Sequence, residues 1–201
     1  QGLEAGAHLS SFYSAAHSDG VVVVELFGGI GAGLEAVLRN GWVVSRYVYA
    51  DRAPAVRAVA AHRLSALVAA YPQQLPVSAV QGAMAFWPQD VTQLQHRHVQ
   101  QLHGLGAHVM LWAGWECQDL SPAGSGKGLQ GPRSSTFFAL HRVLGMMQQQ
   151  LGSKLAWVLE NTAMNVPWQR SAVVLQDLEW LRQLLGEPLT LDAAQFGSRA
   201  H

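Results

Sequence analysis

Cys117 is the only cysteine in the 201-residue sequence, and it sits in LWAGWECQDLSPAGSGKGLQGPRSS (111–135). A lone thiol is usually a small buried hydrophobe. This one follows an apolar run and is surrounded by Glu116, Gln118 and Asp119, with a proline and several glycines in the next turn. A loop thiol becomes a nucleophile when nearby donors or cations stabilise its thiolate. The next apolar run, LAWVLEN (155–161), ends on Glu160 and Asn161, a carboxylate and an amide. A thiol and a carboxylate at neighbouring strand ends suit addition to an electron-poor ring. Three further features belong with them. Phe27-Gly28-Gly29-Ile30-Gly31-Ala32-Gly33 is a turn whose glycines would let a ligand approach backbone N–H groups at a helix start. Asp51, about 20 residues on, could accept hydrogen bonds from ribose hydroxyls; the alternative is a helix-capping acid before Ala53-Pro54. Asp90 could accept from an adenine amine, or cap a helix starting near Thr92. Together they describe a pocket for an adenosine-containing cofactor.

These residues need a scaffold that brings strand ends together. VVVVELF (21–27) is continuously apolar and β-branched, the pattern of a strand buried on both faces of a parallel sheet. A short helix follows the glycine turn and stops at Asn40-Gly41. WVVSRYVYAD (42–51) reads as the second strand. Val56, Val59, Ala60, Leu64, Leu67, Val68 and Tyr71 recur at helical spacing over 53–71. An irregular strand in FWPQDVTQL (86–94), a glutamine- and histidine-rich helix over 92–103 and the strand AHVMLWAG (107–114) come next. A helix across 134–150, the strand 155–161, a helix carrying Val174, Leu178, Leu181 and Leu185, and a last strand LTLDAAQF (189–196) complete the alternation. Alternating strands and helices predict an open, doubly wound, mostly parallel α/β sheet, in which ligands bind beyond the carboxyl ends of the strands.

Composition sets limits. Apolar residues are 49% and charged residues 13% of the chain, with 13 basic and 13 acidic side chains balancing to zero. The chain is globular in type, and a nucleic-acid partner has to be met by a local basic face. No apolar run approaches the roughly 18 residues of a membrane span, and no charged-then-apolar leader is present. The expectation is a soluble intracellular protein without a membrane partner. His96, His98 and His103 lack acids or cysteines at ligand spacing, so no metal is expected and a solvated helix face is the plainer reading. Trp157 and Trp180 fit a core; Trp112 and Trp115 flank the cysteine loop, as pocket wall or as packing.

Taken in order, ELFGGIGAGLEAVLRNGW, YADRAP, QDV, AGWECQDLSPAGSGKGLQGPRSSTFF and ENTAMN resemble motifs I, II, III, IV–V and VI of the cytosine-C5 DNA methyltransferase family. LDAAQFGSRAH resembles the start of motif VIII. The resemblance implies the Rossmann-like fold of class I S-adenosylmethionine-dependent methyltransferases over 20–201, preceded by an N-terminal extension, 1–19. By it, Phe27, Gly28, Gly29, Ile30, Gly31 and Ala32 would hold S-adenosylmethionine, Asp51 its ribose, and Asp90 with Val91 its adenine. Cys117 would be the nucleophile and Glu160 the group that recognises the base. Gln118, Ser121, Arg133 and Asn161 would belong to the substrate loop and rim. The implied partner is double-stranded DNA with a flipped cytosine, in the nucleus of a eukaryote or the cytoplasm of a bacterium or phage host.

The chemistry suits these residue types. Carbon 5 of cytosine is a poor nucleophile until a thiolate adds at carbon 6, and a carboxyl at N3 absorbs the developing charge. The ring is inaccessible within a stack, so the base must be flipped out. The 121–133 segment, with Lys127 and Arg133, would close over it and meet phosphates; a solvated surface loop is the alternative. Two departures stand out. Glu116 replaces the family's proline, and a carboxylate beside a thiolate disfavours the charged form. The chain also begins at Gln1 and ends at His201, short of the family's RxR pair, target-recognition region and last motif. The expectation is therefore a truncated catalytic domain. A tRNA cytosine-C5 methyltransferase and a catalytically inactive scaffold are the alternatives. A nicotinamide dehydrogenase fits poorly, because GGIGAG lacks the GxGxxG order.

Overall fold

The computed structural model describes residues 20–103, 105, 108–192 and 195. The 1–19 extension and most of the motif VIII-like stretch lie outside the described residues. The chain divides into two compact units, Gln1–Trp115 with Thr136–Glu160, and Glu116–Ser135 with Asn161–His201.

In the first unit, four strands alternate with five helices: β1 (Val21–Leu26), α1 (Ala32–Arg39), β2 (Val44–Ala50), α2 (Pro54–Ala70), α3 (Val77–Val80), α4 (His96–His103), β3 (His108–Gly114), α5 (Thr136–Leu151) and β4 (Leu155–Glu160). The sheet order is β2-β1-β3-β4, and each neighbouring pair is parallel. This is an α/β sheet consistent with a Rossmann-like fold. The chain leaves β1 toward β2 and returns to β3 on the other side, so the point where connections reverse lies between β1 and β3, where such sheets take ligands.

All six residues of β1 are buried, which is what its apolar run predicts for a central strand. Val21 and Val23 pack in a cluster with Leu34, Val37 and Leu38 of α1 and Ala60 and Leu67 of α2. The alternate residues Val22, Val24 and Leu26 point to the opposite face and are equally buried. Pro54 opens α2 from its first turn, where its missing N–H costs nothing. Gly41, at φ 80°, lets the chain turn out of α1.

Two expected strands and two side chains differ from the sequence reading. The 86–94 segment forms no strand; it is turns leading to a 3₁₀ turn at Val91–Gln93. Within it the Gln89 amide donates to the carbonyls of Met84 (2.6 Å) and Trp87 (3.2 Å) and reaches Tyr49 O of β2 (3.2 Å). The edge of β2 is instead met by isolated bonds, Val44 N–H to Gln74 O (2.7 Å) and Tyr49 N–H to Ala83 O (3.2 Å). The expected strand at 189–196 is not formed over 189–192, where Leu189 is 81% exposed; 193, 194 and 196 lie outside the described residues. Val59, counted on the inner face of α2, is exposed, as is Trp180, expected in the core.

The second unit holds a 3₁₀ turn at Gly128–Gln130 and α6 (Ala172–Leu185). Ser171 caps α6 by accepting from Val174 N–H at 3.3 Å, and Val174, Leu178 and Leu181 form its buried stripe. Among the described residues no helix is long and apolar enough to cross a membrane.

Candidate cofactor cradle and thiol loop

The glycine turn begins where β1 stops. Phe27 takes φ 53°, unusual for a residue with a side chain, and Gly29 and Gly31 take φ 54° and 80°. A Cβ on Gly28 would lie 2.5 Å from the Tyr49 ring. The turn is thus held as bare backbone pressed against β2. Three bonds fasten it there: Gly28 N–H donates to Ala50 O at 3.1 Å, Tyr49 Oη–H donates to Gly29 O at 2.7 Å, and Gly29 N–H donates to Asp51 Oδ2 at 3.1 Å. The other oxygen, Asp51 Oδ1, accepts from Ala53 N–H at 2.9 Å, so this acid both steadies the turn and leads into α2. Asp51 and the glycine turn are brought together.

Asp90 is further along the same unit, and its Oδ1 accepts from the Thr92 N–H (2.9 Å) and hydroxyl (2.7 Å). The capping role is present for that oxygen, while Oδ2 has no partner among the described residues. Val91 beside it is buried. Ile30 is 48% exposed at the tip of the turn.

Glu25 was not singled out by the sequence, although a carboxylate inside VVVVEL is a visible signal. It is 2% exposed. Its Oε1 accepts from Gly33 N–H at 2.7 Å and Oε2 from Tyr47 Oη–H at 2.5 Å. Burial raises its pKa above the ordinary glutamate value, against the lowering effect of these bonds and of the Leu34 N–H. The carboxyl therefore anchors the first turn of α1. Gly33 is required beside it, since a Cβ there would lie 2.5 Å from Trp112 Cγ and 2.7 Å from Glu25 Oε1.

Glu160 closes β4 in register with Gly114 of β3. A Cβ on Gly114 would approach Glu160 Oε2 to 2.9 Å, so the glycine leaves the carboxylate its room. Glu160 is exposed at this end of the sheet.

The second unit contains the thiol. Cys117 is free and half-buried. Its carbonyl accepts from Leu120 N–H (2.9 Å) and Ser121 N–H (2.8 Å), and the preceding carbonyl, of Glu116, accepts from Ser134 Oγ–H at 2.7 Å. The organising group is Asp119, 3% exposed, to which sequence reasoning gave no role. Its carboxylate accepts from Ser125 Oγ–H (2.5 Å), Arg133 N–H (2.9 Å) and Ser134 N–H (3.0 Å). The Ser125 hydroxyl and then the two backbone donors hold its pKa below the ordinary aspartate value. Gly131 faces it because a Cβ there would lie 2.3 Å from Asp119 Cγ. Asp177 of α6 accepts from Leu129 N–H at 2.6 Å. Leu120 and Leu129 are buried, while Ala123, Gly124, Ser125, Lys127, Gln130 and Pro132 are exposed, so the loop is held from inside at a few points and faces solvent between them. Gln118 and Arg133 are exposed on it and Ser121 is half-buried; Asn161 is half-buried, its Oδ1 accepting from Thr162 N–H at 2.8 Å.

Trp115 packs on Phe137 with ring centroids 5.0 Å apart and is 7% exposed, which is the packing reading. Among the described residues no three His, Cys, Asp or Glu side chains gather as metal ligands would. His98 Nδ1 accepts from Gln95 N–H at 2.9 Å. No family model and no curated protein matches this chain.

Proposed function

We propose that the chain is the catalytic domain of an S-adenosylmethionine-dependent cytosine-C5 methyltransferase acting on DNA. The observation that carries this reading is the glycine-rich turn at the β1 end, tied to Asp51, in a chain whose single thiol follows β3 by three residues. The donor set fits an adenosyl cofactor. Each Asp51 oxygen accepts one backbone N–H and keeps a lone pair for a ribose hydroxyl. Asp90 Oδ2 suits an exocyclic amine, with Val91 as its apolar neighbour.

When bound, S-adenosylmethionine supplies an electrophilic methyl group. Cys117, as thiolate, forms the S–C bond to carbon 6 of cytosine and pushes the ring electrons toward carbon 5. The Glu160 carboxyl is the hydrogen-bonding partner for N3, where the charge collects. Once carbon 5 carries the methyl that the cofactor would supply, a solvent base takes the carbon 5 proton, and the electrons of that C–H bond restore the double bond and release the Cys117 sulfur as thiolate. The bonds from Ser134 and to Asp119 fix the loop backbone on both sides of the thiol, which is the preorganisation such an attack needs.

The test is a covalent trap. DNA carrying 5-fluorocytosine cannot lose a proton from carbon 5, so the protein with S-adenosylmethionine should form a denaturation-resistant adduct that Cys117→Ala abolishes. Absence of an adduct from protein that binds S-adenosylmethionine would sink the catalytic reading and leave the inactive scaffold.

A further inference from the structure

Residues 121–126 and 168–171 line an open surface cleft of about 530 Å³ within the second unit. Its volume lies in the roughly 300–1,000 Å³ range of small-ligand sites. Its walls are already committed to internal bonds. Ser125 donates to Asp119, and Ser171 Oγ donates to Gly126 O at 2.7 Å. Gln169 spans Leu120 O (3.0 Å) and Ser171 N–H (3.1 Å). Gly124 packs its backbone against Gln118 O so closely that a Cβ there would clash.

Two lining side chains are not committed. Trp168 is 64% exposed, a large apolar surface to leave in water. Arg170 is exposed and makes no hydrogen bond or ion pair with a described residue. An exposed indole and an exposed guanidinium two residues apart, on the rim of an open cleft, match a base joined to a phosphate: stacking on the indole and charge pairing at the arginine.

We infer that this cleft holds one unpaired nucleotide of a nucleic-acid strand, its base on Trp168 and its phosphate at Arg170. The choice of a nucleotide over another phosphorylated ligand rests on the function proposed above; the cleft does not. It supplies the local recognition surface that a chain of zero net charge needs.

The test titrates the full 201-residue chain with a fluorescent oligothymidylate of about ten nucleotides, within the usual site sizes of single-strand binders, and with an abasic strand of equal length. Trp168→Ala should weaken thymidylate binding roughly tenfold and leave abasic binding unchanged. Arg170→Ala should weaken both and reduce the salt slope by about one. Both residues are exposed, so circular dichroism should stay unchanged. Equal affinity of both variants and the parent overturns the inference, as does binding of a phosphoserine peptide with none of thymidylate. Thymidylate contains no cytosine, so this result is separate from the Cys117 adduct. An adduct with insensitive thymidylate binding removes the cleft assignment alone, and sensitive binding without an adduct removes the methyltransferase reading alone.

Discussion

Gly33→Ala sets two physical effects against each other. Helix propensity favours the change, because alanine is about 1 kcal/mol better than glycine within a helix. Packing opposes it. The new Cβ would sit 2.5 Å from Trp112 Cγ and 2.7 Å from Glu25 Oε1, and neither neighbour can retreat easily. Trp112 belongs to a strand paired on both sides, and Glu25 is held by Gly33 and Tyr47. Overpacking of this kind costs about 1–3 kcal/mol. Shifting α1 to relieve it stretches the 2.7 Å Gly33–Glu25 bond, a loss of roughly 1 kcal/mol or more. The net expectation is destabilisation by about 2 kcal/mol, close to a 30-fold change in the folded-to-unfolded ratio. Gly145→Ala is the control: Gly145 is exposed within α5 and has nothing within 4 Å of an added Cβ, so it should stabilise by up to about 1 kcal/mol. Urea denaturation of the two variants reads both values. Gly33→Ala at or above parent stability would refute the claim that this turn is closed by contact with Glu25 and Trp112.

Other substitutions address single groups. Burial raises the folded pKa of Glu25, so its favourable contribution is complete below the unfolded value, about 4.3, and is lost as pH rises through the folded value. Glu25→Gln should therefore gain stability relative to the parent as pH is raised from 4 to 8; a constant difference across that range would contradict the assignment. Asp119 has the opposite sign: its lowered pKa means its contribution is present above the ordinary aspartate value and disappears as pH falls through the folded one. Asp119→Ala, like Gly131→Ala, should raise proteolytic cleavage within 121–133 and, under the proposed function, reduce adduct formation; unchanged cleavage would remove Asp119 as the loop's anchor. Asp51→Ala should lower S-adenosylmethionine affinity measured by calorimetry, and unaltered affinity would overturn its role in the cradle.

The α/β class, the parallel sheet and the positions of β1 to β4 were legible in the sequence because buried parallel strands are continuous apolar runs bounded by turn residues. The stop at Asn40-Gly41, and the placing of Cys117 just beyond β3, follow from the same local chemistry. The strand expected at 86–94 is replaced by turns, and the β2 carbonyl of Tyr49 is met there by the Gln89 side chain instead of a ladder partner. Val59 and Trp180 lie on helices as expected, but on the outside; helical spacing fixes which residues share a face, and only the neighbouring elements decide how wide the covered stripe is.

The sequence by itself determined the order of elements and the residue types available at each strand end, since both depend on chain-local periodicity and turn chemistry. Tertiary structure decided which acids do what. The partners of Glu25, Asp51 and Asp119 are not written in their local sequence. Folding gives Glu25 the first turn of α1, ties Asp51 to the glycine turn 22 residues earlier, and surrounds Asp119 with donors from Ser125, Arg133 and Ser134. The reason is that a carboxylate's role is set by which N–H and O–H groups reach it, and those come from segments distant in the chain.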